Sequence, residues 1–262
     1  MKEIFKEIYN YRELLKTSIQ KDIRGKYKAS FLGVLWSFLN PLLQVIVYWI
    51  VFPYLFRAAS IPNYLCYLVT GIIPWTFFTT VVNTSTTCIN SNAGIIKKVY
   101  FPREILVLSC TLSAMVNFFI SCIIILIFCL GTGAGISYHL IYLPLIAIIQ
   151  AILCFGIGLI LSAVNVYIRD IENIVSFVIQ MGFYGTPIIY SLDMFQNASG
   201  ILLGLIQWNP MTKLVYAYRD IFLYHQTPDF GALGSVLLLG VIVLVIGYWI
   251  FKKLEKGFAE EL

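Results

Sequence analysis

The sequence predicts an all-α, polytopic membrane protein with six transmembrane helices. Hydrophobic residues make up 60% of its 262 residues and charged residues only 12%, whereas soluble domains carry about 25% charged residues. Six apolar stretches contain at most one charged residue apiece, and each is long enough, at about 1.5 Å per residue, to cross roughly 30 Å of hydrocarbon. They cover residues 33–56, 65–82, 105–130, 140–166, 171–190 and 232–251.

The basic residues predict the orientation of these spans. Loops rich in Lys and Arg stay on the cytoplasmic side of a membrane. Fifteen of the 18 basic residues lie before the first span, between spans two and three, between spans four and five, or after span six. The opposite side holds only Arg57, Lys213 and Arg219. Both termini are therefore predicted to be cytoplasmic, in a single domain made of residues 1–30, the membrane region 33–251 and a tail, 252–262.

The first 30 residues predict an amphipathic helix. Ile4, Ile8, Tyr11, Leu15 and Ile19 recur at helical spacing, and charged or polar residues fill the opposite face. This apolar face fits either the lipid interface or the protein's own membrane domain, because a hydrophobic stripe does not identify its partner.

The first span contains Asn40-Pro41 near its middle. Proline removes a backbone hydrogen bond, so a kink or an unwound turn is expected there.

The segment between spans two and three is more apolar than a solvated turn. Turn-forming residues precede a short stretch that alternates apolar and basic side chains and ends at Pro102, which predicts a brief helix along the cytoplasmic face. Its apolar residues need cover from lipid or from a protein partner. The candidate contact residues are Asn92, Ile95, Ile96, Lys97, Lys98, Val99, Tyr100, Phe101, Pro102 and Arg103.

The loop between spans four and five carries Arg169, Asp170 and Glu172 at a membrane boundary. These charges either pair locally or contact a cytoplasmic subunit.

About 40 residues separate spans five and six on the outer side, and they do not resemble a plain loop. Residues 201–208 are apolar, and Met211, Leu214, Val215 and Tyr218 follow helical spacing. Two short helices that dip into the outer leaflet would bury these faces. Such helices fit either a gate or an inert lid.

Aromatic residues make up 16% of the chain. Trp and Tyr commonly anchor membrane interfaces, but aromatic faces also stack on sugar rings. Both uses remain open for the candidate path residues Trp36, Tyr48, Trp75, Phe77, Phe183, Tyr184 and Tyr190.

Several kinds of chemistry are not visible in the sequence. It has no phosphate-binding loop of the G-x-x-x-x-G-K-[ST] type and no carboxylate in the middle of a span, so neither ATP hydrolysis nor ion coupling is expected of this chain. The six cysteines form no C-x-x-C pair and are expected to be small buried residues. No metal site is expected. The net charge of +5 is explained by topology and anionic lipid, and nucleic acid is not an expected partner.

Several motifs together resemble those of ABC-2 type membrane subunits that export polysaccharides. They are residues 22–41 (DIRGKYKASFLGVLWSFLNP), 98–104 (KVYFPRE), 165–170 (NVYIRD), 209–211 (NPM) and 254–260 (LEKGFAE). Their order and spacing extend the resemblance over essentially the whole chain.

The resemblance implies a homodimer in the bacterial inner or plasma membrane, driven by two copies of a separate ABC ATPase subunit. That partner would bind ATP and Mg²⁺, and this chain would hold no cofactor. Residues 92–103 would contain a coupling helix, Arg169, Asp170 and Glu172 a second ATPase contact, and residues 201–224 outer gating helices. The outer gate would include Trp208, Asn209, Pro210 and Tyr218.

The implied substrate is a lipid-linked polysaccharide such as O-antigen, teichoic acid or a capsular chain. An ABC-2 exporter of a small drug or lipid is the first alternative. A membrane-embedded glycosyl- or acyltransferase is the second, and it would need a catalytic carboxylate cluster that the sequence does not display.

Overall fold

A computed structural model describes residues 11–27, 36–56, 61–192 and 200–262. All regular secondary structure in these ranges is helical, which confirms the predicted all-α class. The helices are α1 (Arg12–Tyr27), α2 (Trp36–Phe56), α3 (Tyr64–Ser91), α4 (Ala93–Ile96), α5 (Glu104–Gly131), α6 (Leu143–Tyr167), α7 (Ile171–Tyr184), α8 (Gly200–Trp208), α9 (Pro210–Arg219), α10 (Phe230–Leu254) and α11 (Phe258–Glu261).

Three short turns complete the described helical structure. Tyr138–Tyr142 forms a 3₁₀ turn before α6, Asp220–Tyr224 forms a π-helical turn after α9, and Glu255–Gly257 forms a 3₁₀ turn after α10.

Four helices of the described chain are long and apolar enough to cross a membrane: α3, α5, α6 with its preceding turn, and α10. The protein is therefore a multi-pass membrane protein. Helix α3 has 28 residues and continues nine residues past the predicted end of its span. Several of its Thr hydroxyl groups donate hydrogen bonds to backbone carbonyls one turn earlier, as between Thr86 and Val82.

The first and fifth predicted spans correspond to shorter helical segments. Helix α2 contains the apolar stretch Leu39–Phe52 and remains helical through Pro41, so no unwound turn is found there. Helix α7 has 14 residues, which extend about 21 Å. The chain after α7 is not helical, although residues 186–189 are buried. The six-span count stays a prediction.

Helix α6 packs closely on α10 through two glycines. A Cβ atom on Gly247 would lie 2.5 Å from the carbonyl oxygen of Gly156, and a Cβ on Gly156 would lie 2.7 Å from the backbone nitrogen of Leu244. Small residues allow membrane helices to approach to this distance. The opposite side of α6 packs on α3, where Gly158 faces Ser85.

Helix α1 is amphipathic, as predicted, and one face lies on the membrane domain. Tyr11 and Leu14 pack on a second buried cluster, which includes Leu106 and Val107 of α5. Ile4 and Ile8 lie outside the described residues. Within the described helix, part of the apolar face therefore contacts the protein's own domain.

Candidate functional site

Hydroxyl side chains form a polar stripe along one face of α3. Thr76 donates a hydrogen bond of 2.9 Å to the carbonyl oxygen of Ile72, and Thr84 donates one of 2.7 Å to the carbonyl oxygen of Thr80. These bonds use the hydroxyl hydrogens within the helix, so oxygen lone pairs remain for other partners. The stripe extends about 22 Å and consists of Thr76, Thr80, Thr84, Thr87 and Ser91, which line two neighbouring cavities.

Helix α5 supplies a second polar wall. Cys110, Ser113, Asn117 and Ser121 follow one another at spacings of three or four residues and line the same two cavities. The Ser113 hydroxyl is buried and has no hydrogen-bond partner in the described part of the chain. A buried hydroxyl without a partner is costly, so it favours a polar ligand or water in the space beside it.

Together the two cavities form what we call the polar groove. The first has a volume of about 280 Å³ and is completed by Trp36, Asn40 and Pro41 of α2. The second, of about 340 Å³, reaches Lys21 and Asp22 of α1. The groove thus runs from the charged end of α1 along α3 and α5 to α2.

Two of the seven aromatic residues predicted for a substrate path line this groove. Trp36 is exposed at its wall, and Phe77 lies behind it with its ring stacked on Phe118 at a centroid distance of 5.1 Å. Sequence reasoning missed the hydroxyl stripe. The available signal was the helical spacing of five Thr and Ser residues within and beyond an apolar span.

The other predicted aromatic residues lie away from the groove. Phe183 joins a second aromatic group, because its ring lies 5.7 Å from Tyr48 and 5.9 Å from Trp75. Tyr184 is on the surface, and its carbonyl oxygen accepts a 2.9 Å hydrogen bond from the Tyr190 hydroxyl. These contacts connect α2, α3 and α7 by packing.

Two short helices, α8 and α9, are present in the segment where the sequence predicts a pair of them. Trp208, at the end of α8, is 81% exposed. Asn209 caps α9 by accepting a hydrogen bond from the backbone nitrogen of Met211, and Pro210 follows at the first helical position. The Asn209 amide also donates to the carbonyl oxygen of Gly185 at 3.2 Å, which ties α9 to the end of α7.

Tyr218 anchors α9 to the helices beneath it. Its buried hydroxyl donates a 2.9 Å hydrogen bond to Oε1 of Gln150, and the Gln150 amide donates a 2.9 Å bond to the carbonyl oxygen of Pro74. Asn209 and Tyr218 therefore hold α9 on α3, α6 and the end of α7. Whether these residues form a gate stays a prediction.

Arg219 is the largest fully buried side chain among the described residues. Its guanidinium donates hydrogen bonds to the carbonyl oxygens of Pro187 at 2.7 Å and Ile188 at 2.9 Å, and it lies over the ring of Tyr67. These carbonyls belong to the buried non-helical chain after α7, whose polar groups need partners. Sequence reasoning counted Arg219 only as an outer charge. The sequence signal for its burial was its position in a helical pattern of apolar residues, and this signal was missed.

The neighbouring Asp220 has a perturbed acidity. Burial raises the pKa of its carboxyl above the ordinary value, and nearby Asp229 acts in the same direction. A 2.7 Å hydrogen bond from the Gln226 amide opposes this shift.

The segment around α4 presents its apolar residues in two directions. Tyr100 is 90% exposed, and Ile95 and Val99 are also on the surface. Ile96 and Phe101 instead lie in the same buried cluster as Leu106 and Val107. The outward residues, with exposed Lys97 and Lys98, form what we call the α4 surface.

The C-terminal tail packs against the buried side of this segment. The Arg103 guanidinium donates to the carbonyl oxygen of Glu255 and lies 5.6 Å from the ring centre of Phe258, which is fully buried. Lys252 forms 3.0 Å ion pairs with both Glu104 and Glu255. The α4 surface is therefore attached to the end of α10. Pro102 is buried in the same region.

Arg169, Asp170 and Glu172 are all exposed. Within the described ranges, none of the three forms an ion pair with another side chain. Arg169 and Glu172 line a cleft with Asn90 and the last residue, Leu262. Asn92 connects this region to α1, because its side-chain oxygen accepts a 3.3 Å hydrogen bond from Lys21.

No group of three or more His, Cys, Asp or Glu residues in the described ranges is arranged to hold a metal ion. The site consists of hydroxyl, amide and aromatic groups beside a groove, with a separate exposed surface around α4.

A model of the ABC-2 type transporter family matches residues 13–223. The chain belongs to this family. The matched region contains the polar groove, the α4 surface and Arg219, and it ends one residue before the end of the π-helical turn.

Relatives of this ABC-2 type chain include named export proteins. The O-antigen export system permease protein RfbA of Myxococcus xanthus is 32% identical over 262 residues, which is 100% of both chains. A protein of the same name from Klebsiella pneumoniae is 36% identical over 251 residues, 95% of each chain. The polysialic acid transport protein KpsM of Escherichia coli is 20% identical, over 90% of this chain and 92% of its own.

Proposed function

We propose that this chain is the permease subunit of an ATP-driven exporter, and that it moves a lipid-linked polysaccharide from the cytoplasmic side across the inner or plasma membrane. The observation that carries the proposal is the polar groove, whose walls combine hydroxyl groups, amides and an exposed Trp. The names of the relatives support the same substrate class, because two are O-antigen permeases and one transports polysialic acid.

The chemistry of the groove suits a chain of sugars. Thr76 and Thr84 use their hydroxyl hydrogens inside α3, so their oxygens can accept hydrogen bonds from sugar hydroxyls. Asn40 and Asn117 offer both donors and acceptors, and Trp36 offers an aromatic face. Each uncharged group would bind a sugar unit only weakly, and similar groups recur along the groove. A long polymer could therefore advance past them.

The proposed topology places both termini and the Lys21–Asp22 end of the groove in the cytoplasm. All six apolar segments then cross the membrane, and α8 and α9 lie on the outer side with Trp208, Asn209 and Tyr218. Fifteen of the 18 basic residues fall on the cytoplasmic side in this arrangement.

A second copy of the chain would face the open side of the groove, so the transporter is proposed to be a homodimer. The groove on one chain is open, and a hydrated polymer needs an enclosed path through hydrocarbon.

The energy source is proposed to be two copies of a separate ATPase that bind ATP and Mg²⁺. Ile95, Val99 and Tyr100 form an exposed apolar patch flanked by Lys97 and Lys98, which is the composition expected of a protein contact. Arg169, Asp170 and Glu172 would form a second contact. Movement of these surfaces would be transmitted to α5 and α10 through Arg103 and the C-terminal tail.

An ABC-2 exporter of a small drug or lipid is the second candidate. A cavity of about 440 Å³ with almost wholly apolar walls lies between α3, α6 and α7, and it is lined by Trp75, Phe78 and Ile179 among others. It would suit an acyl chain or a drug better than a sugar.

Replacement of groove hydroxyls tests the polysaccharide proposal. A Thr76→Val, Thr80→Val, Thr84→Val variant keeps side-chain shape and removes three hydroxyls. We expect finished lipid-linked glycan to accumulate inside the cell and surface glycan to fall at least fivefold, at unchanged protein abundance. Thr86→Val is the matched control, because Thr86 lies on the buried face of the same helix.

Normal surface glycan in the triple variant and in depleted cells would contradict the proposal. Export of a lipophilic dye that is lost in a Trp75→Ala, Phe78→Ala variant, with glycan unaffected, would favour the second candidate.

A further inference from the structure

Cys66, near the start of α3, and Cys129, near the end of α5, lie in direct contact. Their Sγ atoms are 2.8 Å apart, and both residues are fully buried. Two carbon atoms without a bond approach each other only to about 3.5 Å. Because sulfur is larger than carbon, the two sulfurs lie closer together than an ordinary non-bonded contact allows. The cysteines are 63 positions apart in sequence, so the packing of α3 on α5 brings them together.

This contact needs little change to become a covalent bond. The two sulfurs of a disulfide are about 2.05 Å apart, so a shift of less than about 1 Å would suffice. Cys129 has one further contact, a 3.5 Å hydrogen bond to the carbonyl oxygen of Phe222. Neither sulfur belongs to a group of described residues that could hold a metal ion.

We propose that Cys66 and Cys129 form an intrachain disulfide bond on the extracytoplasmic side of the membrane. This rests on the topology in the proposed function, in which the first turns of α3 and the last turns of α5 face outward. Disulfides persist in that compartment and are rare in the cytosol. Cys88 and Cys110 lie near the cytoplasmic ends of the same two helices and stay reduced.

The bond forms by thiol–disulfide exchange with a disulfide-bearing oxidoreductase or small-molecule disulfide outside the membrane. One cysteine thiolate attacks a donor sulfur, forms a mixed disulfide and releases one donor thiolate. The second cysteine thiolate then attacks its neighbour's sulfur and releases the other donor thiolate. Two cysteine thiols lose two electrons and two protons, and the donor disulfide becomes two thiols. Because both sulfurs are buried in the packed structure, exchange occurs before α3 and α5 dock fully.

The bond would fix the outer end of the polar groove. Helices α3 and α5 form its two walls. With these walls joined near Cys66 and Cys129, any widening during transport would occur further toward the cytoplasm or through movement of α2.

Thiol counting tests the proposal on the full chain. Membranes are quenched in acid to prevent exchange, the protein is denatured, and reactive thiols are counted from the mass added by a maleimide with and without prior reduction. We expect four reactive thiols before reduction and six after it. Cys66→Ser and Cys129→Ser should each show five reactive thiols under both conditions.

Cys88→Ser is the matched control and should show three reactive thiols before reduction and five after it. The count does not need a correctly folded variant, because the wild-type protein alone gives the decisive number. Six reactive thiols in unreduced wild-type protein would overturn the disulfide. A count for unreduced Cys66→Ser that is two lower than the count for reduced Cys66→Ser would also overturn the proposal, because the disulfide would then join a different pair of cysteines.

A separate labelling experiment distinguishes failure of the disulfide from failure of the topology. In intact cells, a membrane-impermeant maleimide should not label a Tyr100→Cys variant above the wild-type level. Six thiols with unlabelled Tyr100→Cys would remove the disulfide and leave the topology standing. Labelled Tyr100→Cys would place α4 outside and remove the compartment on which the disulfide depends.

Discussion

The central guanidinium carbon of Arg219 lies 3.4 Å from the centre of the Tyr67 ring. From this position Arg219 donates hydrogen bonds to two carbonyl oxygens of the chain that follows α7. Gly71 leaves the necessary space, because a Cβ atom there would lie 3.0 Å from Nη2 of Arg219 and 3.1 Å from Ile188. The buried cation of Arg219 on α9 therefore contacts both α3 and the non-helical chain that follows α7.

We expect Arg219→Gln to lower stability by about 3 to 5 kcal/mol, because hydrogen bonds from charged groups contribute about 1.5–3 kcal/mol each. Arg219→Lys should recover only part of this loss, since one ammonium group does not reproduce the planar fork of donors. Thermal unfolding in detergent, followed by tryptophan fluorescence, measures the change. Arg169→Gln, at an exposed position, is the control. An unfolding midpoint equal to wild type in Arg219→Gln would show that Arg219 has no such role.

Tyr100 and Phe101, which follow α4, should respond differently to substitution. Tyr100→Asp places a charge on the proposed ATPase contact, and we expect at least a tenfold loss of ATPase stimulation with normal abundance. Phe101→Ala removes a ring that is only 3% exposed, so it should cost about 3 to 5 kcal/mol of stability. ATPase activity of the co-purified complex and thermal unfolding provide the two readouts. Full stimulation in Tyr100→Asp would remove this surface from the interface.

The tail depends on a close contact between Gly257 and Tyr167. A Cβ atom at residue 257 would overlap the Tyr167 hydroxyl, which also donates a 2.8 Å hydrogen bond to the carbonyl oxygen of Leu254. Gly257→Ala should therefore destabilise the protein by about 1 to 3 kcal/mol, and Tyr167→Phe by about 1 kcal/mol. The double variant should lose less than the sum of the two, because the clash disappears with the hydroxyl. Additive losses would show that the two residues do not interact.

The raised pKa of Asp220 predicts that the stability of the protein depends on pH. Since burial raises its pKa in the folded protein, the folded state holds the proton more tightly than the unfolded state, whose carboxyl titrates near pH 3.9. Its contribution to stability is therefore fully present below about pH 3.9 and is lost as the pH rises through the folded-state pKa. We expect Asp220→Asn to weaken the dependence of the unfolding midpoint on pH above about pH 4, relative to wild type. Asp170→Asn, which changes an exposed carboxylate, is the matched control.

Composition and spacing predicted the helical class because burial of apolar side chains in lipid requires long uninterrupted apolar segments. They did not predict where a helix stops inside an apolar stretch. Residues 186–189 are as apolar as a span, yet Arg219, Tyr64 and Tyr67 satisfy their carbonyls or those of adjacent residues, so the backbone leaves the helix without exposing polar groups. Only tertiary contacts supply those donors.

The candidate site was predictable in part for a similar reason. The apolar character of residues 95–101 indicated a contact, but Tyr100 and Phe101 face opposite ways, and their order in sequence does not reveal which one is inside. Nine of the 28 residues of α3 are Thr or Ser, and they lower its mean hydropathy to 1.7, against 2.6 for the other three long apolar helices. A mean does not show that five of these side chains share one face. Their common face becomes evident only when the helical period is applied to polar residues as well as to apolar ones.

Helix α3 has a length of about 42 Å for its 28 residues, whereas hydrocarbon is roughly 30 Å thick. In the proposed topology the excess projects into the cytosol and carries Thr87 and Ser91 with it. A sugar chain would first touch these side chains while still fully hydrated, and it would exchange water for protein hydroxyls one turn at a time. The free-energy cost of dehydrating the sugar chain would thus be distributed over several helical turns that begin below the bilayer. It would not form a single barrier at the membrane surface.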